Sequence, residues 1–415
     1  MTAAAKCPFH EPGFDFTSPD LLEKGMPAEE FAELRKTAPV WWNAQAPGKG
    51  GGFADDGYWV VTKHEHIREI SKNNELWSTH ENGVIIRFDD EMQPEQLDVT
   101  KDNLLINQDP PTHTRLRKLI SKGFTPKAVH ALEESLKARA EKIVTEAAAK
   151  GTGEFVHDVA VELPLQAIAD LLGVPQEDRE KLFNWSNSMM NYDDPAFTAD
   201  PQVASMEILG YAYQMAEARK KCPAEDIVTT LVNADLDGES LSEIEFGYFV
   251  ILLTVAGNET TRNAITHGMN AFLENPDQWE LFKRERPATA VDEIVRWATP
   301  VNVFQRTAKE DLVLGGQEIK KGQRVGMFYG SANFDEDVFE DPFTFNILRD
   351  PNPHVGFGGH GSHYCVGANL ARVEINLIFN AIADYMPDIS KLGQPKRLRS
   401  GWINGVTELD VAYTK

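Results

Sequence analysis

The chain is poor in cysteine, in long apolar runs and in positive charge, and each shortage excludes a class of protein. Three cysteines among 415 residues form no paired framework, so a disulfide-stapled fold is not expected. No window reaches the roughly 18 apolar residues that a membrane-spanning helix needs, and residues 1–20 lack a basic flank followed by an apolar stretch. The formal net charge of −23 opposes binding to nucleic acid and to anionic membranes. These absences predict a cytoplasmic protein with no nucleic-acid partner and no transmembrane anchor.

The sequence also lacks clear domain boundaries. Its length suggests two or three domains of about 150 residues each, yet no linker, low-complexity tract or internal repeat divides it. We therefore predict one domain over residues 13–415 and a flexible N-terminal tail over residues 1–12. Helical patterns dominate, and strand patterns are short, as at residues 58–62, 312–319 and 325–328. The predicted fold class is mainly α with a minor β component.

Residues 357–367 are the most informative segment, because they place Cys365 in a glycine-rich loop before a helical pattern that runs from Val366 to about Tyr385. Backbone N–H groups and the positive end of a helix dipole are expected to lower the pKa of a thiol placed there. A thiolate binds metal, and the loop glycines leave room for main-chain donors and for a flat ligand. The segment therefore predicts a loop that supplies an axial metal ligand.

The residues alone leave two other interpretations of Cys365 open. A lone cysteine in an intracellular protein is often a small buried hydrophobic side chain. Alternatively, His354, His360, His363 and Cys365 fall within a short span that suits zinc or non-haem iron. Neither alternative requires so many glycines.

The loop resembles the haem-binding loop of the cytochrome P-450 monooxygenases, Phe-Gly-x-Gly-x-His/Arg-x-Cys-x-Gly. The resemblance implies the single-domain cytochrome P-450 fold and haem b, iron protoporphyrin IX, with Cys365 as its thiolate ligand. Other cofactor-binding residues that it implies in this segment are Phe357, Gly358, His363 and Gly367.

The two propionate groups of haem need cationic or hydrogen-bonding partners when they are buried. His113 and Arg117 lie one helical turn apart, and Arg306 lies in the segment Gln305-Arg306-Thr307. The family resemblance implies that these three residues and His363 hold the propionates.

A second motif lies within a predicted helix over residues 241–275, which has no proline before Pro276 and would run roughly 50 Å. Its first half is apolar all round, and polar residues such as Glu259 and Thr260 interrupt it. Taken alone, Thr260 would bond back to its own helix and Glu259 would form an ion pair.

The same segment resembles the family's oxygen-activation motif, Ala/Gly-Gly-x-Asp/Glu-Thr-Thr/Ser. The resemblance implies that Thr260 holds a proton donor beside dioxygen and that Glu259 relays protons from solvent. It also places Ala256 and Gly257 against the haem, with Gly257 allowing close approach to the backbone.

Glu293 and Arg296 share one face of a helix predicted over residues 288–297, and such a pair is usually a solvated surface pair. The pair resembles the family's Glu-x-x-Arg, which implies a buried structural role behind the haem. The third member of that cluster is usually an arginine where this chain has Thr344, so its identity is open.

A lipophilic substrate is predicted from apolar and aromatic residues expected near the distal side of the haem. These substrate-binding candidates are Ile85, Phe88, Met189, Val255, Phe304 and Trp402.

Several segments, including residues 41–43, 48–53 and 81–85, resemble the bacterial steroid C26(27)-monooxygenases. That likeness implies hydroxylation of the terminal side-chain methyl of cholesterol or cholest-4-en-3-one, with further oxidation to aldehyde and acid. It also implies a ferredoxin and a ferredoxin reductase as electron donors, because no dinucleotide fingerprint for NAD(P)H is present. Alternative functions are a monooxygenase of another lipid, such as a methyl-branched fatty acid, and a non-catalytic haem sensor.

Overall fold

The computed structural model describes residues 13–224, 227–233 and 241–413, and helices dominate these ranges. The helices are α1 (Pro19–Lys24), α2 (Ala28–Thr37), α3 (His64–Lys72), α4 (Pro94–Asn103), α5 (Thr112–Ile120), α6 (Pro126–Ala148), α7 (Glu162–Leu172), α8 (Arg179–Met190), α9 (Pro201–Lys221), α10 (Ile227–Val232), α11 (Glu243–Glu274), α12 (Pro276–Glu285), α13 (Ala290–Ala298), α14 (Tyr329–Ala332) and α15 (Ala368–Tyr385). The tail predicted over residues 1–12 lies outside the described residues.

The strands are short. They are β1 (Val40–Ala44), β2 (Gly57–Val61), β3 (Trp77–Ser78), β4 (Thr152–Glu154), β5 (Val303–Ala308), β6 (Leu312–Leu314), β7 (Gln317–Ile319), β8 (Arg324–Phe328), β9 (Ser390–Lys391), β10 (Lys396–Arg397), β11 (Val406–Glu408) and β12 (Asp410–Ala412). The largest sheet has the order β1-β2-β8-β5-β3, in which only β2 and β8 pair in parallel. The prediction of a mainly helical fold with a minor sheet is confirmed.

Helix α11 organises the helical part of the molecule. The Ser242 side chain accepts from the Glu245 backbone N–H, and the Glu245 side chain accepts from the Ser242 backbone N–H, which closes a capping box at the start of the helix. The helix then runs for 32 residues, about 48 Å, until Asn275 and Pro276 end it. Helices α7, α8, α9, α13 and α15 pack against it, so the predicted long helix is confirmed and crosses the core.

The larger hydrophobic core surrounds α11 and includes buried residues of α6, α7 and α15. Two smaller clusters cover the five-stranded sheet. Within the described ranges, no helix is both long and apolar enough to cross a membrane.

The helix predicted from Val366 begins two residues later, at Ala368, because residues 366 and 367 form a turn after Cys365. The helix around Glu293 likewise begins at Ala290 rather than at residue 288. Both differences lie in the loops that lead into helices, where the sequence pattern is weakest.

Candidate active site

An interior cavity of about 1610 Å³, including its opening to solvent, lies between α11 and the loop that carries Cys365. Its walls are mostly apolar. From α11 come Phe249, Leu252 and Leu253, and from β5 comes Phe304. The cavity is therefore suited to lipophilic molecules.

Cys365 lines this cavity, as expected for a metal ligand, but the pKa of its thiol differs from the prediction. Its backbone N–H donates to the Phe357 carbonyl at 3.0 Å, which closes the loop. The side chain is accessible from the cavity, yet the surrounding protein shields the sulfur from bulk water and raises the pKa of the thiol. Backbone N–H groups of Gly367 and Ala368 and the charge of Arg117 lower that pKa by less. The predicted fall in pKa is therefore wrong for the thiol by itself, so a metal ion is needed to displace its proton.

The loop glycines pack mainly against α3. A Cβ on Gly359 would lie 2.4 Å from the Ser71 hydroxyl, and a Cβ on Gly361 would lie 2.1 Å from the Ser71 carbonyl oxygen. Gly361 also has φ +93°, which disfavours any other residue. Gly358 and Gly367 line the cavity, as does Phe357. Phe357 lies 365 − 357 = 8 residues before Cys365, one more than in the family pattern, so the loop carries an insertion.

Four basic side chains converge on one end of the cavity: His113, Arg117, Arg306 and His363. The two histidine rings lie with centroids 4.0 Å apart. Burial and the two arginines lower the pKa of His113 to about 4, and burial, Arg306, His113 and Arg117 lower that of His363 to about 2.

Asp109 is close enough to raise the pKa of His113, but its carboxylate already accepts hydrogen bonds from Ser78 and Thr79. Arg117 and Arg306 donate to the backbone carbonyls of Tyr364 and Gln305. The cluster is therefore rich in positive charge and donors and is suited to an anionic ligand.

On α11, Thr260 and Ala256 face the cavity, whereas Glu259 does not. The Thr260 hydroxyl donates to the Ala256 carbonyl at 2.8 Å, so its oxygen stays available as an acceptor. Glu259 is fully buried and pairs with Arg262. The two local contacts predicted from the sequence alone, the bond from Thr260 to its own helix and the ion pair of Glu259, are thus present.

Gly257 also lines the cavity, but its missing side chain serves a contact between helices. A Cβ at this position would lie 2.2 Å from Cδ1 of Ile168 in α7. A larger residue here would force the Ile168 side chain to move, so Gly257 also allows α7 to pack closely on α11.

Glu293 and Arg296 are completely buried, and their ion pair spans 2.7 Å between Glu293 Oε2 and Arg296 Nε. Arg296 also donates to the carbonyls of Asn333 and Pro342 at 2.8 and 2.9 Å. The surface-pair alternative is wrong. The third member of the cluster is Arg349, whose Nε lies 3.1 Å from Glu293 Oε2.

Of the six substrate-binding candidates, Phe304 lines the cavity. Ile85, Val255 and Trp402 pack together with Phe304 in the core cluster beneath the sheet, where the rings of Phe304 and Trp402 lie 5.9 Å apart. These three are not part of the cavity lining. Met189 and Phe88 also lie outside the cavity lining: Met189 packs on the larger core, and Phe88 lies against Phe53 and Tyr192.

The histidines that suggested a non-haem metal site separate in the structure. His354 pairs with Asp292 at 3.1 Å, whereas His360 stacks on Tyr364 and His363 on His113. Across the part of the chain that the structure describes, no group of three or more potential ligands is positioned for a metal ion.

The substrate-binding residues predicted from the sequence do not include the wall residues Phe249, Leu252 and Leu253 of α11. Sequence reasoning also missed two charged residues. Arg349 follows Thr344 by five positions (349 − 344 = 5) in the same loop and supplies the contact expected at that threonine. Glu374 of α15 lines the cavity, is fully buried and has no partner for Oε2. Burial raises the pKa of Glu374 to about 8, and no motif indicated this.

Comparison with known proteins agrees with this geometry. The Cytochrome P450 family model matches residues 288–385. The steroid C26-monooxygenase of Rhodococcus jostii (strain RHA1) is 67% identical over 401 residues, covering 97% of this chain and 85% of that protein. The methyl-branched lipid omega-hydroxylase of Mycobacterium tuberculosis (strain ATCC 25618 / H37Rv) is 40% identical over 397 residues, covering 92% and 90%. A solved structure of a Mycobacterium marinum cytochrome P450 in complex with pseudoionone has a TM-score of 0.89 at 36% identity, covering 97% and 98%.

A cysteine loop and a basic cluster that meet in an apolar cavity define the class of haem-thiolate proteins. The chain belongs to the cytochrome P450 family, whose cofactor is haem bound through a cysteine thiolate.

The residues present fit that cofactor. His113 Nδ1 is buried without a partner in the protein, and the basic cluster around it suits two carboxylates. Cys365 would hold the iron.

Proposed function

We propose that this chain is a monooxygenase that hydroxylates the terminal side-chain methyl, C26 or C27, of cholesterol or cholest-4-en-3-one and oxidises the alcohol further to aldehyde and acid. The observation that carries the proposal is the 67% identity, over nearly the whole chain, to a protein named steroid C26-monooxygenase. The apolar cavity beside Cys365 supports it, because a sterol presents almost only hydrocarbon to its binding site.

The reaction consumes one substrate, dioxygen, two electrons and two protons, and it yields the alcohol and water. When bound, haem supplies the redox chemistry that activates dioxygen. A primary C–H bond is stronger than its secondary neighbours, so the walls of the cavity must select the methyl by position. Phe249, Leu252 and Phe304 are rigid or branched apolar groups suited to that role.

Thr260 and Glu259 are proposed to supply the protons. Thr260 and Thr261 of this motif both line the cavity, and the Thr260 hydroxyl oxygen can accept from a proton donor while its own proton goes to Ala256. Glu259 lies behind it in the protein, where it would take protons from water and pass them on.

The basic cluster is proposed to bind the haem propionates. Arg117 and Arg306 bring the charge, and His113 and His363 bring additional N–H donors. Glu293 and Arg296 are proposed to be structural, because neither lines the cavity and their hydrogen bonds join α13 to the loops that carry Asn333 and Asn346.

Electrons are proposed to come from NAD(P)H through a ferredoxin reductase and a ferredoxin. The docking face would be the one nearest Cys365, where Arg68 and Lys72 lie close enough to lower the pKa of His360 after the effect of burial. This local positive charge suits an acidic carrier in a chain whose net charge is −23. Such carriers act in the cytoplasm, which is the location we propose.

The test is reconstituted turnover with ferredoxin, its reductase and NAD(P)H, followed by mass analysis of the products. Cholest-4-en-3-one should give the C26 alcohol and then the acid, with one oxygen atom from labelled dioxygen in the first product. A methyl-branched fatty acid in a parallel reaction should turn over more slowly. Faster turnover of the fatty acid would favour the second candidate, which the 40% identity to a methyl-branched lipid omega-hydroxylase supports.

The Thr260→Ala variant separates the enzyme from a haem sensor. It removes a hydroxyl that donates within its own helix, so the reduced, carbon monoxide-treated absorption band should be retained. Product formed per NAD(P)H should fall about ten-fold or more. Unchanged coupling of electrons to product would contradict the proton-delivery role.

A further inference from the structure

A chain of buried polar side chains joins α11 to α8 and to β11, on the part of α11 that does not line the cavity. Arg262 Nη1 donates to Asn187 Oδ1 at 3.1 Å, and Arg262 also pairs with Glu259. Asn263 Nδ2 donates to Glu259 Oε1 at 3.1 Å, and its own oxygen accepts from the Val406 backbone N–H at 3.1 Å. Glu259 is thus fixed from two sides.

Several polar atoms along this chain have no partner in the protein. They are Glu259 Oε2, Arg262 Nε, Asn191 Oδ1 and both side-chain polar atoms of Asn258. All of these residues are less than a tenth exposed. Because buried polar groups in folded proteins are almost always hydrogen-bonded, ordered water is the partner that such a cluster selects.

The connections also decide which oxygen of Glu259 can exchange a proton. Oε1 accepts from Arg262 and from Asn263, whereas Oε2 accepts from neither. The path continues toward Asn191 at the end of α8, whose Nδ2 lies 3.4 Å from Asn187 Oδ1. Arg262 therefore links the carboxylate to α8 and leaves one oxygen free.

We propose that these residues form a hydrated proton path between α8 and α11, and that Arg262 is a positioning residue that holds Glu259 with Oε2 open to the path. The inference rests on the proposed role of Glu259 in delivering the two protons of the reaction. Protons taken from water at Oε2 pass toward the cavity, and Glu259 regains its charge opposite Arg262 after each transfer.

Arg262→Met tests the inference, because methionine keeps much of the volume and removes the charge and the donors. Product formed per NAD(P)H should fall about ten-fold. Supplying hydrogen peroxide instead of dioxygen and electrons should restore product, because peroxide carries both protons with it. Arg262→Lys, which keeps the charge, should be intermediate.

A second measurement needs no turnover. Without Arg262, a buried Glu259 should hold its proton, so Arg262→Met should gain infrared absorbance of a protonated carboxyl that the Arg262→Met/Glu259→Gln double variant lacks. Ser188→Ala is the matched control, since Ser188 lies next to Asn187 on α8 and its hydroxyl donates to the Asn184 carbonyl of its own helix at 2.8 Å. It should change neither the coupling nor the infrared spectrum.

Should Arg262→Met not fold, Asn187→Leu removes the α8 anchor alone and should lower coupling in the same direction by a smaller factor. The inference would be overturned if Arg262→Met formed as much product per NAD(P)H as the wild type, or if hydrogen peroxide did not restore product formation. An infrared carboxyl spectrum unchanged from the wild type would also overturn it. A wild-type enzyme that forms no steroid product would instead contradict the proposed function. The infrared comparison of Arg262→Met with the double variant would still show whether Arg262 keeps Glu259 charged.

Discussion

The chain buries two Glu-x-x-Arg pairs with the same spacing, Glu293–Arg296 in α13 and Glu259–Arg262 in α11. In the first pair both carboxylate oxygens are occupied, since Arg296, Arg349 and the Asn346 backbone N–H all donate to them. In the second pair one carboxylate oxygen and one guanidinium nitrogen have no partner in the protein.

The difference shows that the rest of the fold decides what a buried ion pair does. In a fully hydrogen-bonded pair no carboxylate oxygen is available to exchange a proton, so the contacts of Glu293–Arg296 hold loops together. A partly bonded pair keeps an acceptor available and is costly to bury. Glu259–Arg262 is therefore suited to moving a proton rather than to stabilising the fold.

The largest expected effect comes from Glu293→Gln. The change leaves Arg296 and Arg349 buried without a counter-charge, and it should lower the free energy of unfolding by about 4 kcal/mol. Urea denaturation of the haem-loaded protein measures this. Glu217→Gln is the control, because Glu217 forms an exposed pair with Lys220 at the same spacing and should give no measurable change. Equal effects of the two changes would contradict the structural role of Glu293.

Glu374→Gln extends the comparison to a buried carboxyl with no cation. Its pKa is raised to about 8 from the ordinary 4.5, so the unfolded chain loses this proton well before the folded protein does. Stability from this group is therefore present below pH 4.5 and falls as the pH rises toward 8. The amide cannot ionise, so the variant should exceed the wild type by about 3 kcal/mol at pH 7 and match it near pH 4. Urea midpoints across this range test it, and a pH-independent difference would show that Glu374 is not protonated in the folded state.

Glu259→Gln should have the smallest effect on stability, about 2 kcal/mol, because it leaves one buried arginine without a counter-charge, whereas Glu293→Gln leaves two. The amide oxygen can still accept from Arg262, and the amide nitrogen replaces an oxygen that had no donor. The same change should remove most of the product formed per NAD(P)H. If Glu259→Gln destabilised the protein as much as Glu293→Gln, the two pairs would be equivalent and the comparison would fail.

Much of the fold and of the site could be predicted from the sequence, because the signals were local. The apolar stretch without proline up to Pro276 indicates α11, and the glycines around Cys365 define the loop. Helical spacing paired Glu293 with Arg296 and His113 with Arg117. Each of these inferences needed only neighbours in the chain.

Other features depended on residues that are distant in sequence. Arg349, rather than a residue at position 344, completes the cluster around Glu293 because the loop folds back on α13. Trp402 and Val255 belong to the same core cluster as Phe304, yet of these three Phe304 is the one that lines the cavity. Hydrophobic residues of the cavity wall and of the surrounding core are of the same types, so no sequence pattern separates them.

The sequence by itself determined which residues carry the chemistry: a cysteine in a glycine loop, a threonine within a long helix, and basic residues at helical spacing. Only the tertiary structure decided their state. It raised the pKa of the Cys365 thiol, turned Glu259 away from the cavity and left Glu374 without a cation. The physical reason is that charge and proton affinity depend on burial and on partners brought together from the whole chain, whereas residue identity and spacing are fixed along it.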